Sequence, residues 1–467
     1  MARHRLVTIG DSITQGVRSG AAVDGTLSWP RFLAAAMGVE DEFRSPVVAP
    51  AGRGLPVDLE YLATEVLDGF GTSLGWLEVP LAALRVRSWM DDVEDYWENG
   101  PGSTPAPPDG LYHNLGILGF DLRDALSLTA TECEKRIAAT PRRDGLFNQV
   151  PEAGGLRIAR QILAAAGPDE TVFDAAETLA DDGGIEVVVV MLGSNNALQV
   201  ASDLEVHWSG AGYDDLDEKG PFTLWRPEHF AAEYDLVVER AAEIGAEHTV
   251  LATVPKVTII PLARGVNGKV APGSRYYEHY TRIWIDDESF DPTQDKCITH
   301  QDARRADAAI DAYNDHIRAA AAARGPNWHV FELGDRLDSM ATKRYLEDPS
   351  ARPTGFEPYR WPSPLDRLDP PLGTKFFRSE HGRRSEGGIF SLDGIHPTVI
   401  GSALIAHELA ELLRAAGVEV GDVDLGAALA ADELNSDPPD IVDSLIGVIG
   451  WLDQISDAFS SLARIGR

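Results

Sequence analysis

Ser12 stands in the stretch Gly10-Asp11-Ser12-Ile13-Thr14-Gln15-Gly16, directly after the apolar run Leu6-Val7-Thr8-Ile9. A serine hydroxyl is a weak nucleophile until a neighbouring base takes its proton and oriented N–H donors receive the oxyanion that forms. The candidate base lies near the other end of the chain, in Ser391-Leu392-Asp393-Gly394-Ile395-His396-Pro397-Thr398. Asp393 and His396 are three residues apart. In a turn before a helix, that spacing lets the carboxylate hold one imidazole nitrogen while the other faces a serine. The expected chemistry is acyl transfer through Ser12, with His396 as the base and Asp393 as the group that orients it. Each piece alone reads as ordinary structure, because Gly-Asp-Ser and Asp-Gly are common in turns and a His-Pro pair is usually structural.

Together, Gly10-Asp11-Ser12 and Asp393-Gly394-Ile395-His396 resemble the first and last blocks of the SGNH/GDSL hydrolases. The resemblance implies a serine esterase or lipase on a flavodoxin-like sheet, with a small-molecule ester as substrate and no metal or organic cofactor. It also implies two middle blocks. Asn114-Leu115-Gly116-Ile117-Leu118-Gly119 fits the family's Asn-x-x-x-x-Gly pattern, which makes Gly119 the matching glycine. Gly193-Ser194-Asn195-Asn196, after the run Val187-Val188-Val189-Val190-Met191-Leu192, resembles Gly-x-Asn-Asp and makes Asn195 the matching asparagine. The implied oxyanion hole is therefore the backbone of Ser12 and Gly119 with the side chain of Asn195. Asn196 departs from the family, which has aspartate there, so that aspartate's usual hydrogen bonds are in question. Ala51-Gly52-Arg53-Gly54 is a weaker match to the second block because no asparagine precedes it. The resemblance covers both ends of the chain and the sheet, not the long inserts. It leaves open acyl transfer to an alcohol other than water, deacetylation of a sugar, or an inert ligand-binding or scaffold protein that keeps these residues as structure.

Ser12 and His396 must meet, so the intervening chain has to fold back on itself as one unit. Apolar, β-branched runs at 6–9, 111–114, 187–192, 248–254 and 328–333 predict five strands. Helical patterns lie between them, at 29–38, 121–138, 151–166, 227–245 and 303–325, and alternation of this kind predicts a doubly wound parallel α/β sheet. A closing helix is expected over 398–416. We read residues 1–430 as one catalytic domain, with insertions near 46–110, 200–226, 256–302 and 340–390. Trp76, Trp89 and Trp97 in the first insertion are expected as packing anchors. The third insertion, with Tyr276, Tyr277, Tyr280 and Trp284, reads equally as a pocket wall or a surface excursion. Within the last, the Pro- and Arg-rich segment between Asp348 and Glu386, with Tyr359, Trp361, Phe376 and Phe377, feeds into the Asp-His turn and is the best lid candidate. His113 and His329 read as packed histidines. In the tail, 431–467, Ile441, Leu445, Val448, Leu452, Ile455, Phe459 and Leu462 form a heptad seam, expected to dock on the parent domain or, second, to form a homodimer.

Composition narrows the partners. With 41 basic against 74 acidic residues, the formal charge is -33. Such a field repels phosphate backbones and anionic membranes, so nucleic acid is not an expected partner. Arginine-over-lysine usage and abundant alanine fit a GC-rich genome or adaptation to salt. Cys133 and Cys297 give no disulfide framework or zinc spacing. The apolar stretches are too short for a membrane span. Met1-Ala2-Arg3-His4-Arg5 runs straight into the first strand, which predicts a cytoplasmic protein.

Overall fold

A computed structural model of the chain describes residues 3–23, 25–66, 70, 79–105, 110–141, 151, 153–439, 446–447 and 450. Five strands, β1 (His4–Gly10), β2 (Asn114–Gly116), β3 (Ile185–Met191), β4 (His248–Ala252) and β5 (Trp328–Phe331), form one parallel sheet. Their spatial order is β2-β1-β3-β4-β5. Gly10 at the end of β1 is level with Gly116 on one side and Met191 on the other. The chain order reverses across β1, so the carboxyl end of β1 opens at a topological switch point, where open α/β sheets hold their ligands. Val187, Val188, Val189 and Val190 are all fully buried, as a parallel strand covered on both faces requires.

The helices around the sheet are α1 (Trp29–Ala36), α2 (Leu122–Ser127), α3 (Val172–Asp181), α4 (Asn195–Ser202), α5 (Pro227–Glu243), α6 (His300–Arg324), α7 (Leu333–Met340) and α8 (Val399–Ala415). α1 packs against α8, while α5 packs against α6, α2 and α3; α1 and α3 both touch β1. This is an α/β architecture consistent with a doubly wound sheet. Local chemistry sets the helix starts: Pro30 and Pro227 occupy first-turn positions, and Thr171 with Asp174 and Thr299 with Asp302 form capping boxes. Buried apolar residues from Leu6 to Leu434 make one contiguous core.

Several expectations shift. The second strand begins at Asn114 rather than at 111, because the N–H groups of His113 and Asn114 donate to the carbonyl of Arg44 outside the sheet. The single helix expected over 121–138 is two, Leu122–Ser127 and Ala130–Ala139, since Leu128 is extended and the Thr129 hydroxyl caps a new start by accepting from Glu132 N. α3 and α4 were not expected, although Thr171-x-x-Asp174 is a capping signature. Residues 256–302 hold an antiparallel sheet of Ala263–Lys269, Tyr277–Arg282 and Cys297–Thr299. In the first insertion, Trp89 and Trp97 are buried and donate their indole N–H groups to the carbonyls of Gly52 (2.8 Å) and Arg53 (2.6 Å). They are packing anchors. Trp76 and the heptad seam fall outside the described residues. Among the described residues, no helix is long and apolar enough to cross a membrane.

At the amino end of the sheet, His113 is buried, its Nδ1 accepting from Arg44 N at 2.9 Å and its Nε2 lying 2.9 Å from His4 Nδ1. Burial, then the charges of Arg44 and His4, push its pKa down from 6.5 to about 3. Between those values the unfolded chain binds a proton that the folded chain does not, so stability falls as pH falls. From pH 6.5 to 4.5, wild type is expected to lose about 2–3 kcal/mol through this group, at about 1.4 kcal/mol per pH unit. His113→Gln lacks that component, so in denaturant titrations the two stability curves should converge toward acid. Parallel curves would show that His113 is not held neutral in the fold.

Candidate active site

The nucleophile turn depends on two glycines. A Cβ on Gly10 would overlap the Thr14 side chain, and one on Gly116 would overlap the backbone of Thr14 and Gln15. Without side chains there, β1 and β2 let the short helix Ser12–Gln15 sit directly against their ends. Asp11 caps that helix, its carboxylate accepting from Ile13 N at 3.0 Å. Ser12 is thereby fixed at the sheet edge, 3 % exposed.

The Asp-His turn arrives from the other end of the chain. Its backbone closes through Ser391 N to the His396 carbonyl (2.8 Å) and Gly394 N to the Ser391 carbonyl (3.0 Å). The Ser391 hydroxyl accepts from Ser19 N at 2.8 Å, and Gly394 O accepts from Leu262 N at 3.1 Å. So braced, His396 Nε2 lies 2.8 Å from Ser12 Oγ, and His396 Nδ1 lies 2.7 Å from Asp393 Oδ2. Asp393 and His396 are fully buried. Asp393 Oδ2 also accepts from Gly20 N at 2.6 Å, and Oδ1 accepts from Ile395 N and His396 N, each at 2.8 Å. Burial alone would raise the Asp393 pKa, but the His396 charge and these N–H donors outweigh it and hold the carboxyl below its ordinary value. An ionised Asp393 makes Nδ1 the donor, which leaves Nε2 to accept the serine proton. The three groups form the chain of hydrogen bonds that activates a serine hydroxyl.

The expected oxyanion donors are placed as follows. Asn195 opens α4 after β3 and lines the same cavity as Ser12. Its Nδ2 donates to the Phe120 carbonyl at 2.8 Å, which orients the amide plane and leaves the second N–H to serve another acceptor. Gly119 has a left-handed backbone (φ 77°) in the turn that leaves β2 at the same sheet edge. That turn is held by Ile117 N to Gly10 O (3.0 Å) and by Leu118 N to Gln15 Oε1 (2.6 Å). Gly119 itself does not line the cavity. Asn196, where the resemblance implied an aspartate, has an acceptor role: its Oδ1 receives Leu122 N at 3.3 Å, tying α4 to the start of α2. Gly52 and Gly54, in the weaker match, lie by Tyr61 and by Ala21 and Val23.

A cavity of about 110 Å³ extends from Ser12. α7 contributes Leu333, Arg336, Leu337 and Met340, and α8 contributes Gly401, Leu404, Ile405 and Glu408. Both sets follow the i, i+3, i+4, i+7 spacing of a single helix face. Val257, Ile260, Phe331 and Ile389 complete an apolar wall. At the far end Glu408 is bound by Arg336 (2.9 Å) and by the Tyr359 hydroxyl (2.6 Å). Tyr276, Tyr277, Tyr280 and Trp284 do not line this cavity; Tyr277 and Tyr280 line a neighbouring one that shares Ile260 with it. No residue of the lid candidate, 348–386, lines the cavity: Tyr359 contacts the cavity-lining Glu408, and Phe376 and Phe377 are buried.

Sequence reasoning missed Asp11, Gln15, Ser391 and the α7 face. Asp11 lines the cavity beside Ser12, and burial raises its carboxyl to about 6 against the pull of Ile13 N and the His396 charge. The α7 face was findable from its apolar spacing. Comparison with protein-family models, with curated proteins and with solved structures finds no match to this chain.

Proposed function

We propose that the chain is a serine hydrolase of the SGNH/GDSL kind, cleaving carboxylic esters through an acyl-enzyme on Ser12. The observation that carries this reading is the unbroken relay from Ser12 Oγ through His396 to Asp393, at 2.8 and 2.7 Å. The sheet order, 2-1-3-4-5 by chain position, supports the flavodoxin-like reading that the resemblance implies. Ser12 Oγ attacks the ester carbonyl and its proton passes to His396 Nε2, while Asp393 stabilises the imidazolium. The tetrahedral oxyanion takes hydrogen bonds from the free Asn195 N–H and the backbone N–H groups of Ser12 and Gly119. Collapse breaks the bond to the alcohol, which leaves with the proton from His396; water then repeats the sequence on the acyl-enzyme. The apolar cavity takes the acyl arm, which favours a chain longer than acetyl and weighs against sugar deacetylation.

Incubation with an alkyl phosphonate that labels active serines is expected to add one group, at Ser12, with turnover of p-nitrophenyl esters lost in step. The same ester series should peak at acyl chains of about six to eight carbons, because the cavity spans two helical turns, roughly 10 Å. Labelling elsewhere, or none, would leave the binding or scaffold alternative.

A further inference from the structure

Beside Ile260, the apolar cavity has a smaller neighbour rich in cationic side chains. A second cavity, of about 30 Å³, is lined by Arg264, Arg275, Lys343, Arg344 and Lys375, with the hydroxyl-bearing Thr258, Thr374, Tyr277 and Tyr280 and an apolar side that includes Ile259 and Ile260. No carboxylate lines it. In a chain of net charge -33, five cations around one small space need an explanation.

Three of the five are balanced from behind. Arg264 pairs with Asp287, Arg344 with Asp307, and Lys375 with Glu347 (2.5 Å) and Glu386 (2.6 Å). Two are not. Among the described residues Lys343 makes no ion pair or hydrogen bond, and Arg275 has only the Tyr345 hydroxyl (3.0 Å) and the Tyr276 ring as partners. Burial, then the charges of Arg264 and Lys375, lower the Lys343 pKa despite Glu386 and Glu347 nearby. An ammonium half-buried among like charges is costly unless an anion joins it. The space matches one tetrahedral oxyanion: a water position takes about 10–15 Å³ by the same measure, so a nucleotide does not fit and a phosphate group does. The position is also specific. Ile260 lines both cavities, and the next residues run to Leu262, whose N–H holds Gly394 in the Asp-His turn.

We propose that this cationic pocket binds the phosphate group of an ester substrate whose acyl arm lies in the apolar cavity. The substrate class is then a fatty-acyl ester of a phosphorylated alcohol. This assignment rests on the ester-hydrolase reading for the acyl half, whereas the anion pocket stands on its own residues. The bond cleaved is the carboxylic ester; the phosphate is held and not transferred.

The test compares octanoyl-glycerol 3-phosphate with neutral monooctanoylglycerol, in wild type, Lys343→Met and Lys343→Arg. Charge-assisted contacts of this kind contribute about 1.5–3 kcal/mol, or about ten- to a hundredfold. Wild type should favour the phosphorylated ester by at least about tenfold in kcat/KM. Lys343→Met should lower the ratio of charged to neutral kcat/KM by a similar factor, with Lys343→Arg keeping most of it. Inorganic phosphate should compete with the phosphorylated ester and raise Tm in wild type and not in Lys343→Met. Phosphate binding that depends on Lys343 but leaves both esters' kinetics untouched would make this a free-oxyanion site and overturn the headgroup assignment. No phosphate binding and an unchanged ratio would overturn the pocket itself. If neither ester is cleaved while phosphate still binds through Lys343, the hydrolase reading fails and the anion pocket survives.

Discussion

Ser12→Ala is expected to cut turnover of a medium-chain p-nitrophenyl ester about 10⁶-fold while leaving KM within a few-fold. The loss, about 8 kcal/mol of transition-state stabilisation at 1.36 kcal/mol per tenfold, is that large because the relay acts as a unit. Without the hydroxyl, His396 has no proton to accept and the acyl-enzyme cannot form, so only the oxyanion donors remain. The fold should tolerate the change. Ser12 Oγ has His396 Nε2 as its partner, and the helix cap belongs to Asp11, so thermal melting and circular dichroism should match wild type. Retention of more than about a tenth of wild-type turnover in a folded variant would remove Ser12 as the nucleophile and return the site to a binding role.

Asp393→Asn should cost about 10⁴ in kcat, and the geometry shows why no amide orientation avoids it. Both carboxylate oxygens receive two N–H donors: Gly20 N and His396 Nδ1 on Oδ2, Ile395 N and His396 N on Oδ1. An amide NH₂ placed on either side faces donors. Turned toward the ring, it forces the imidazole proton onto Nε2, where it points at Ser12 Oγ and blocks base action. Turned the other way, it breaks the bonds that shape the turn. Stability should therefore fall too, by about 2–3 kcal/mol for the lost bonds to a buried charge. The folded pKa of Asp393 lies below its ordinary 3.8. Its contribution is thus complete above that value and is lost only as pH falls through the lower folded pKa. Titration of Asp393 itself should accordingly add no pH dependence to wild-type stability above its ordinary carboxyl range. A folded variant with turnover within about tenfold of wild type would remove Asp393 from the relay.

The parts of this molecule that sequence makes legible are those where one physical requirement dominates. Val187 to Val190 must be a central strand because only a doubly covered strand is apolar on both faces. Gly10 and Gly116 are readable because the chain approaches itself there too closely for a Cβ. The spacing of Asp393 and His396 allows the contact the structure contains. Illegible parts depend on what lies across a gap. Leu333 reads as the end of a strand, yet it opens α7, and only the facing α8 shows that Leu337 and Met340 wall a cavity. The role of Asn196 is set by Leu122 N, 74 residues away. Lys343 looks like any surface lysine until Arg264, Arg275, Arg344 and Lys375 are seen around the same space.

Ser12 and His396 are 384 residues apart, and that separation has a meaning in time as well as in space. A ribosome adds about 5–20 residues per second, so the nucleophile is made about 20–80 s before its base. During that interval β1 can dock only on strands already synthesised, and the serine beside it is an inert hydroxyl. On the hydrolase reading, reactivity waits for the Asp-His turn, which follows all five strands and every residue of the cationic pocket, while α8, which completes the apolar cavity, comes later still. If Ser12 is the nucleophile, order of synthesis acts as a safety catch, withholding an active serine from the crowded surroundings of an unfinished chain.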